Sequence, residues 1–366
     1  MSSDIDIVDL KGVGFARGEV YGNMRRSQIE RFLIDWLESL GAAGVGNPQL
    51  YLSKMLEATG FSNAIDEHSP ELLEEVRGIA AGAAVPLELV LASQFMDEEW
   101  AYRVHFLRAP ESPPKCSSVA IHARDGLTWI GQNMDLGSYT DGHQVLMRTA
   151  PEGRVPGTLI FTIGSMIGLL GVNSRGLAVC VNALPQLPAA RQGLPVAFVV
   201  RRLLTAEDAA EAARMIHTFP HSTGQHYLIA DSNSIRSFEA SPAEVLEYHS
   251  PNPSRILRTN HPLTGTLARA FPEAVNSMAR LRSLTARLMD GQPDLETVKA
   301  SLSSCDDAAN PVSRALRGGQ ASQGPTSFTT GSMVSALQQD SAVVDSWVSS
   351  GPPHLRPYAR VQLPKT

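Results

Sequence analysis

The segment Ala109-Pro-Glu-Ser-Pro-Pro-Lys115 carries three prolines in seven residues. A run missing that many backbone donors belongs neither inside a helix nor within a ladder of strands. It predicts an exposed loop, and the chain changes character across it. Upstream, Val20, Met24, Ile29, Leu33, Trp36 and Leu37 recur at loosely helical spacing, predicting a helix over Gly18 to Leu40 that stops at Gly41. Ser69-Pro70-Glu71 supplies a cap residue, a first-turn proline and an acid ahead of Leu72, Leu73, Val76 and Ile79, the pattern of a helix start. Pro86 opens a third helix running to about Leu107.

Downstream the pattern turns to strands. Ser118 to Ala123, the turn Asp125-Gly126 and Leu127 to Gln132 predict a hairpin, because Asp-Gly supplies the positive φ that a tight turn needs. Further strands are expected at Leu159 to Ile163, Leu177 to Val181, His226 to Ala230, Ser237 to Ala240 and Val245 to His249, with more between Ser332 and Gln362. Helices are expected at Ala197 to Leu204 and Ala206 to Ile216, and along the stripe Val275, Met278, Leu281, Leu284, Leu288 up to Gly291. Residues 304 to 327, rich in Ser, Gly, Gln and Pro, read as a mobile loop. Strand runs separated by paired helices favour an α+β layered core over an all-parallel barrel.

Composition narrows the partners. With 43% hydrophobic and 19% charged residues the chain is an ordinary globular, soluble one. A net charge of −6 argues against a general nucleic-acid binder. Residues 1–115 hold 10 basic and 18 acidic residues and residues 116–366 hold 21 and 19, so the segments differ in sign, as two surfaces packed together can. The acidic start Met1 to Asp9 lacks the basic and apolar regions of a secretory signal, and no apolar run is long enough for a membrane span, so a cytoplasmic location is expected. Three scattered cysteines fit a reducing compartment and form no disulfide framework.

Several common sites are missing: a Walker loop, His-Glu-x-x-His, Cys-x-x-Cys and Gly-x-Ser-x-Gly. No metal or cofactor is expected. The glycines of Gly164 to Gly168 and Gly171 to Gly176 read as turns between strands. His217 and His221 are separated by Pro220 and make no helix-face pair, and a dyad of Cys116 with His122 competes with an ordinary structural histidine. Cys180 sits in an apolar strand and reads as core, and Cys305 as a loop thiol. Cys116 differs. It stands where the proline-rich loop meets the first strand, a position that burial does not explain.

Cys116-Ser-Ser-Val-Ala-Ile, Gly131-Gln-Asn-Met-Asp135, Gly171-Val-Asn-Ser-Arg-Gly-Leu177, Val181-Asn-Ala-Leu184, Tyr227-Leu-Ile-Ala-Asp231 and Thr259-Asn-His-Pro262 occur in this order. Together they resemble the acyl-coenzyme A:6-aminopenicillanic acid acyltransferase family, a cysteine branch of the N-terminal-nucleophile (Ntn) hydrolases. The segments Gly12 to Gly22 and Glu74 to Gly82 resemble its N-terminal region, so the likeness covers nearly the whole chain.

The resemblance implies a four-layer αββα sandwich, made as a precursor that cuts itself at Lys115-Cys116. Residues 1–115 would be a mostly helical α-chain or pro-segment and residues 116–366 the β-rich catalytic β-chain, held together as a heterodimer and forming one Ntn domain. Cys116 would be the nucleophile and its freed α-amino group the base. Before cutting, that nitrogen is an amide and cannot take a proton; afterwards its ordinary pKa, about 7.7 to 8.0, suits a thiol near 8.5. By position, Asp135 would orient the amine, Asn260 would stabilise the oxyanion, and Gln132 and Asn182 would support the pocket or the oxyanion. Gln132 points to the penicillin acyltransferase branch, since the bile-salt-hydrolase relatives have arginine there. A family arginine near the last strands is replaced by Ser322 to Thr326, leaving Arg314 or Arg317 as substitutes, and Lys115 stands where the fungal cleavage site has glycine.

The implied activity is cleavage of a linear amide in a small molecule through a Cys116 thioester. Transfer of the acyl group from a thioester or amide donor to an amine is the alternative, and an uncleaved binding protein the second. Loops Leu136 to His143 and Ala183 to Gly193 are expected to line the pocket.

Overall fold

The computed structural model describes residues 5–109, 115–123, 126–266, 274–316 and 327–365. Strand β1 (Ile7–Leu10) leads into helices α1 (Gly14–Met24), α2 (Arg26–Ala42), α3 (Pro48–Ala58), α4 (Phe61–His68), α5 (Pro70–Ala83), α6 (Leu87–Ser93) and α7 (Met96–Ala101), then a π-helical turn at Tyr102–Phe106. Next come β2 (Ser117–His122), β3 (Thr128–Gly137), β4 (Gln144–Thr149), β5 (Thr158–Ile163), β6 (Leu170–Asn173) and β7 (Ala178–Ala183), followed by α8 (Val196–Leu203) and α9 (Ala209–Ile216). Strands β8 (Gln225–Ala230), β9 (Ile235–Ala240), β10 (Val245–Glu247) and β11 (Arg255–Arg258) precede α10 (Val275–Leu288) and α11 (Leu295–Leu302). The last described elements are β12 (Ser327–Leu337), β13 (Val343–Ser349) and β14 (Ala359–Pro364).

The strands form two sheets, one ordered β1-β4-β5-β6-β7-β8-β9-β10 and the other β11-β2-β3-β12-β13-β14. Every strand pair is antiparallel except β1 with β4, a parallel pair running from Ile7 opposite Leu146 to Leu10 opposite Thr149. Period-2 alternation explains the layering. In β2, Ala120 joins the cluster between the sheets, while Val119 and Ile121 pack outward with Leu284, Leu288, Val298 and Leu302 of α10 and α11. On the far side, Phe32, Trp36, Val76 and Phe198 join Ile160, Tyr227 and Ile229 in the larger core. Helices therefore cover both outer faces of two stacked sheets, the expected αββα order. Gly331 of β12 lets the sheets close up, since a Cβ there would stand 2.1 Å from the Phe161 ring.

The helix α1 against α5 contact is the tightest in the helical layer. A Cβ on Gly18 would lie 1.9 Å from the Glu75 carbonyl oxygen, and one on Gly78 would lie 2.1 Å from that of Phe15. Glycines four residues apart share a helix face, so the two backbones touch along a stripe. Arg17 of α1 and Arg201 of α8 both pair with the buried Glu75 of α5.

Three expectations change. The helix expected over Gly18 to Leu40 is two, α1 and α2, broken at Arg25 (φ −114°), whose guanidinium pairs with Asp6. The second continues past Gly41 to Ala42 and stops through Gly44 (φ +91°), with the Val45 N–H donating to the Leu40 carbonyl. The helix expected from Pro86 to Leu107 is α6, α7 and the π-helical turn. Its break lies at Gln94, whose side chain donates to the Ser165 carbonyl and accepts from the Ile167 N–H. Gly171 lies inside a strand rather than a turn, with the turn confined to Ser174 to Gly176. The predicted hairpin forms between β2 and β3, with Gly126 at φ +78°; Asp125 lies outside the described residues. Of the loop expected over 304 to 327, only 304–316 and Ser327 are described, and Ser327 begins β12.

Candidate active site

Cys116 precedes the first residue of β2 and stands just outside its ladder, which begins with Ser117 opposite Asn133. Its side chain is buried, with Sγ 3.6 Å from the Met134 sulfur. Burial pushes the thiol up to about 12, and the Asp135 carboxylate adds to the rise. The backbone N–H of Asp135 and the charge of Arg280 act in the opposite direction. The thiol is therefore neutral at physiological pH.

Asp135 lies at the end of β3 next to β12. Alternation turns Gln132 and Met134 towards the larger sheet and Asn133 and Asp135 away from it. Asp135 Oδ1 accepts from Thr329 Oγ1 at 2.7 Å, whereas Oδ2 is buried without a hydrogen-bond partner. Burial raises this carboxyl to about 6, against the opposing influence of Arg280, Thr329, Arg314 and Lys115.

Asn260 follows β11 and is pinned from several directions. Its N–H donates to Ser277 Oγ at 2.7 Å, and its carbonyl accepts from Gln186 Nε2 at 3.2 Å. Three and four residues on, the chain is held by Glu239, which accepts from the Leu263 and Thr264 N–H groups while paired with buried Arg258. The Asn260 side chain donates from Nδ2 to the Ala183 carbonyl at 2.9 Å and accepts at Oδ1 from Arg280 Nη2 at 2.9 Å. An amide nitrogen carries two hydrogens, so one is left able to serve a substrate oxygen.

Gln132 and Asn182 lie between the sheets. The Gln132 side chain copies a peptide: Oε1 accepts from the Val181 N–H at 2.8 Å and Nε2 donates to the Val181 carbonyl. Its amide is thereby engaged in stitching β3 to β7 and holds the residue before Asn182. Asn182 Oδ1 accepts from Ser118 Oγ at 2.6 Å and from His226 Nδ1 at 3.0 Å. Burial holds His226 well below its ordinary value, so the ring is neutral, and its Nε2 accepts from Ser237 Oγ at 2.9 Å. Asn182 Nδ2 is left buried and unpartnered, a donor able to serve a substrate oxygen.

Cys116, Asp135 and Asn260 are thus brought together, with Asn182 facing the same inter-sheet space as Gln132. Two residues join them that the sequence did not single out. Arg280 of α10 donates to the Cys116 carbonyl, to Ser117 Oγ and to Asn260 Oδ1. Asp97 of α7 is near enough to disfavour a Cys116 thiolate and accepts from Gln225 Nε2 at 3.0 Å. The helical spacing of the Val275 to Leu288 stripe carried the one available signal for Arg280, since it marks an arginine on a packed helix. Of the two substitute arginines, Arg314 lies beside Asp135, and its N–H donates to Thr329 Oγ1. Arg317 and Ser322 to Thr326 lie outside the described residues, as do Pro110 to Pro114. His122 is not part of the cluster. It bonds Thr128 Oγ1 at 2.8 Å, six residues along an extended strand and so about 20 Å from Cys116. Among the described residues no group of three His, Cys, Asp or Glu side chains could hold a metal ion, and no helix is long and apolar enough to cross a membrane.

A curated relative, the 40 kDa form of acyl-coenzyme A:6-aminopenicillanic-acid-acyltransferase from Emericella nidulans, is 24% identical over 253 residues, covering 69% of this chain and 62% of that protein. The chain thus spans less than two thirds of that relative's length. Among solved structures, a mutant conjugated bile acid hydrolase from Clostridium perfringens aligns with 69% of this chain and 97% of its own at 12% identity and a TM-score of 0.45. The penicillin V acylase of Agrobacterium tumefaciens aligns with 68% and 86% at 14% identity and a TM-score of 0.43. Residues 122–325, more than half of the chain, match the family described as acyl-coenzyme A:6-aminopenicillanic acid acyl-transferase, and the protein belongs to that family.

Proposed function

We propose that this protein is a self-activating cysteine amidase. The thiol of Cys116 attacks the Lys115 carbonyl carbon, the peptide C–N bond breaks, and water hydrolyses the resulting thioester. This leaves a carboxylate on Lys115 and a free amine on Cys116. In turnover that amine takes the thiol proton, sulfur attacks the substrate amide carbon, and the proton passes to the departing amine. Water then releases the acyl group as an acid. Asn260 and Asn182 donate to the oxyanion, and the substrate is a small linear amide. The 115-residue and 251-residue pieces stay together as a heterodimer.

One observation carries this reading: Asp135 Oδ2, buried and without a partner, beside the residue whose nitrogen becomes an amine. A buried lone carboxylate oxygen is costly, and an α-ammonium formed next to it would satisfy it. The same thioester passed to an amine gives acyl transfer, the activity in the curated relative's name. Products from an acyl donor offered together with amines, counted as acid against amide, decide between the two.

Intact mass of freshly purified protein beside Cys116→Ala is the direct test. Two fragments meeting at Lys115 and Cys116 in the native chain alone are expected. Full-length chain in both samples sinks the reading and favours an uncleaved binding protein.

A further inference from the structure

Three successive acids on α7 have different tasks. Glu98 and Glu99 lie in the packed layer, 0% and 2% exposed. Glu98 Oε1 accepts from the Val196 N–H at 3.0 Å, Ser222 Oγ at 2.8 Å and Thr223 Oγ1 at 3.4 Å, which ties α7 to the start of α8. Glu99 pairs with Arg103 and accepts from Tyr51. Asp97 does neither. It is partly exposed, and among the described residues no arginine or lysine pairs with it. Its one hydrogen bond comes from Gln225 Nε2, at 3.0 Å to Oδ2. Burial raises the carboxyl, and that bond is the influence against it. Gln225 is left incomplete as well. Its two amide hydrogens go to Asp97 and to Thr223 Oγ1 at 3.3 Å, so Oε1 is buried without a donor. Flipping the amide would set its oxygen against the carboxylate, which fixes this orientation.

These bare acceptors stand at the candidate active site. Gln225 lies opposite Ala183 in the β7–β8 ladder, and the Ala183 carbonyl takes the Asn260 side-chain amide. Met96, next to Asp97, meets the hydroxyl of Tyr139 in the loop after β3. The Asp97 charge reaches Cys116, where it disfavours the thiolate. A negative charge that hinders the nucleophile is a handicap unless a cation comes between them. We propose that Asp97, held in place by Gln225, is the specificity residue of this enzyme and receives an ammonium group carried by the substrate near its reacting carbonyl. The proposal rests on the amidase reading above and names the substrate class for it. An ammonium brings three N–H donors, enough for Asp97 and for Gln225 Oε1, and its charge meets the lone carboxylate. It also offsets the charge that disfavours the Cys116 thiolate, so the right substrate aids its own attack. A neutral analogue of the same size supplies none of this and leaves both acceptors bare.

The test labels Cys116 with three methanethiosulfonates: aminoethyl, which is cationic, propyl, which is neutral and of the same size, and sulfonatoethyl, which is anionic. In each case the thiolate attacks the divalent sulfur of the reagent, a disulfide forms and methanesulfinate leaves. Cys305→Ser is the background, because Cys305 is an exposed thiol. Rates are divided by those with free mercaptoethanol, and intact mass is taken before labelling. The cationic reagent should outrun the neutral one by about tenfold or more, with the anionic one slowest. In Asp97→Asn that ratio should fall to about one, with the propyl rate within about threefold of native. If the melting temperature shows Asp97→Asn unfolded, the ratio is read in Asp97→Ser. A native ratio near one overturns the proposal, and so does a ratio that survives in the folded variant. A variant that slows all three reagents alike also overturns it, since that is the mark of a carboxylate acting on the Cys116 amine. A native chain found uncut at the first mass spectrum overturns the amidase reading instead, before any label is added.

Discussion

Glu75 and Asp135 are both carboxylates with at most 2% of their surface exposed, yet their surroundings differ completely. Both Glu75 oxygens are held by Arg17 and Arg201; burial alone would raise it, but the two guanidinium groups bring it down to about 2. Asp135 has one bonded oxygen and one bare one, and burial raises it to about 6. The first is a structural rivet in the helical layer. The second is left incomplete next to Cys116. Depth of burial therefore says little about a carboxylate's task; the number of satisfied oxygens says more.

Four measurements would break or sharpen that contrast. Replacing Glu75 by Gln leaves two buried arginines facing an amide, and urea unfolding should show a loss of about 3 to 5 kcal/mol. Self-cutting should survive in whatever fraction stays folded. Replacing Asp135 by Asn should do the reverse, lowering turnover of p-nitrophenyl acetate about 1000-fold with the melting temperature equal or higher. The two should also respond oppositely to pH in the uncut Cys116→Ala background. The folded value of Asp135 lies above its ordinary 3.8, so its contribution is present below about pH 4 and is lost as pH rises through about 6. That of Glu75 lies below 4.5, so its contribution is present above that value and is lost as pH falls through about 2. Each spans up to about 3 kcal/mol. Glu98, raised by burial to about 7, adds to the loss on the alkaline side, so the Asp135 part is the portion that Asp135→Asn removes. Smallest of all, Thr329→Val takes away the Thr329 hydroxyl donor on Asp135 and should slow turnover about tenfold, about 1 kcal/mol.

The sequence made some of this legible and hid the rest for physical reasons. The order of Cys116, Gly131 to Asp135 and Thr259 to Pro262 brought out the three residues that the fold gathers. The β2–β3 hairpin was visible because its turn needs a positive φ. Strands β1, β4 and β11 had no comparable signal. They are four to six residues long, and β4 and β11 are buried so fully that polar and apolar positions do not alternate. Helices α3, α4 and α11, of eight to eleven residues, were missed likewise. Arg280 was hidden for another reason: it lies 164 residues from Cys116, and only tertiary packing joins them. The break at Arg25 went unseen because neither Gly nor Pro marks it.

The parallel pairing of β1 with β4 has a consequence for how the protein is made. Residues 5–109 leave the ribosome before the strand that β1 needs, which starts at Gln144, and the sheet under the first helices continues to Ala183 and beyond. At ordinary synthesis speeds the apolar faces of α2 and α5 wait on the order of ten seconds for their cover. Through that interval the nascent chain carries exposed apolar helix faces, the condition that favours aggregation.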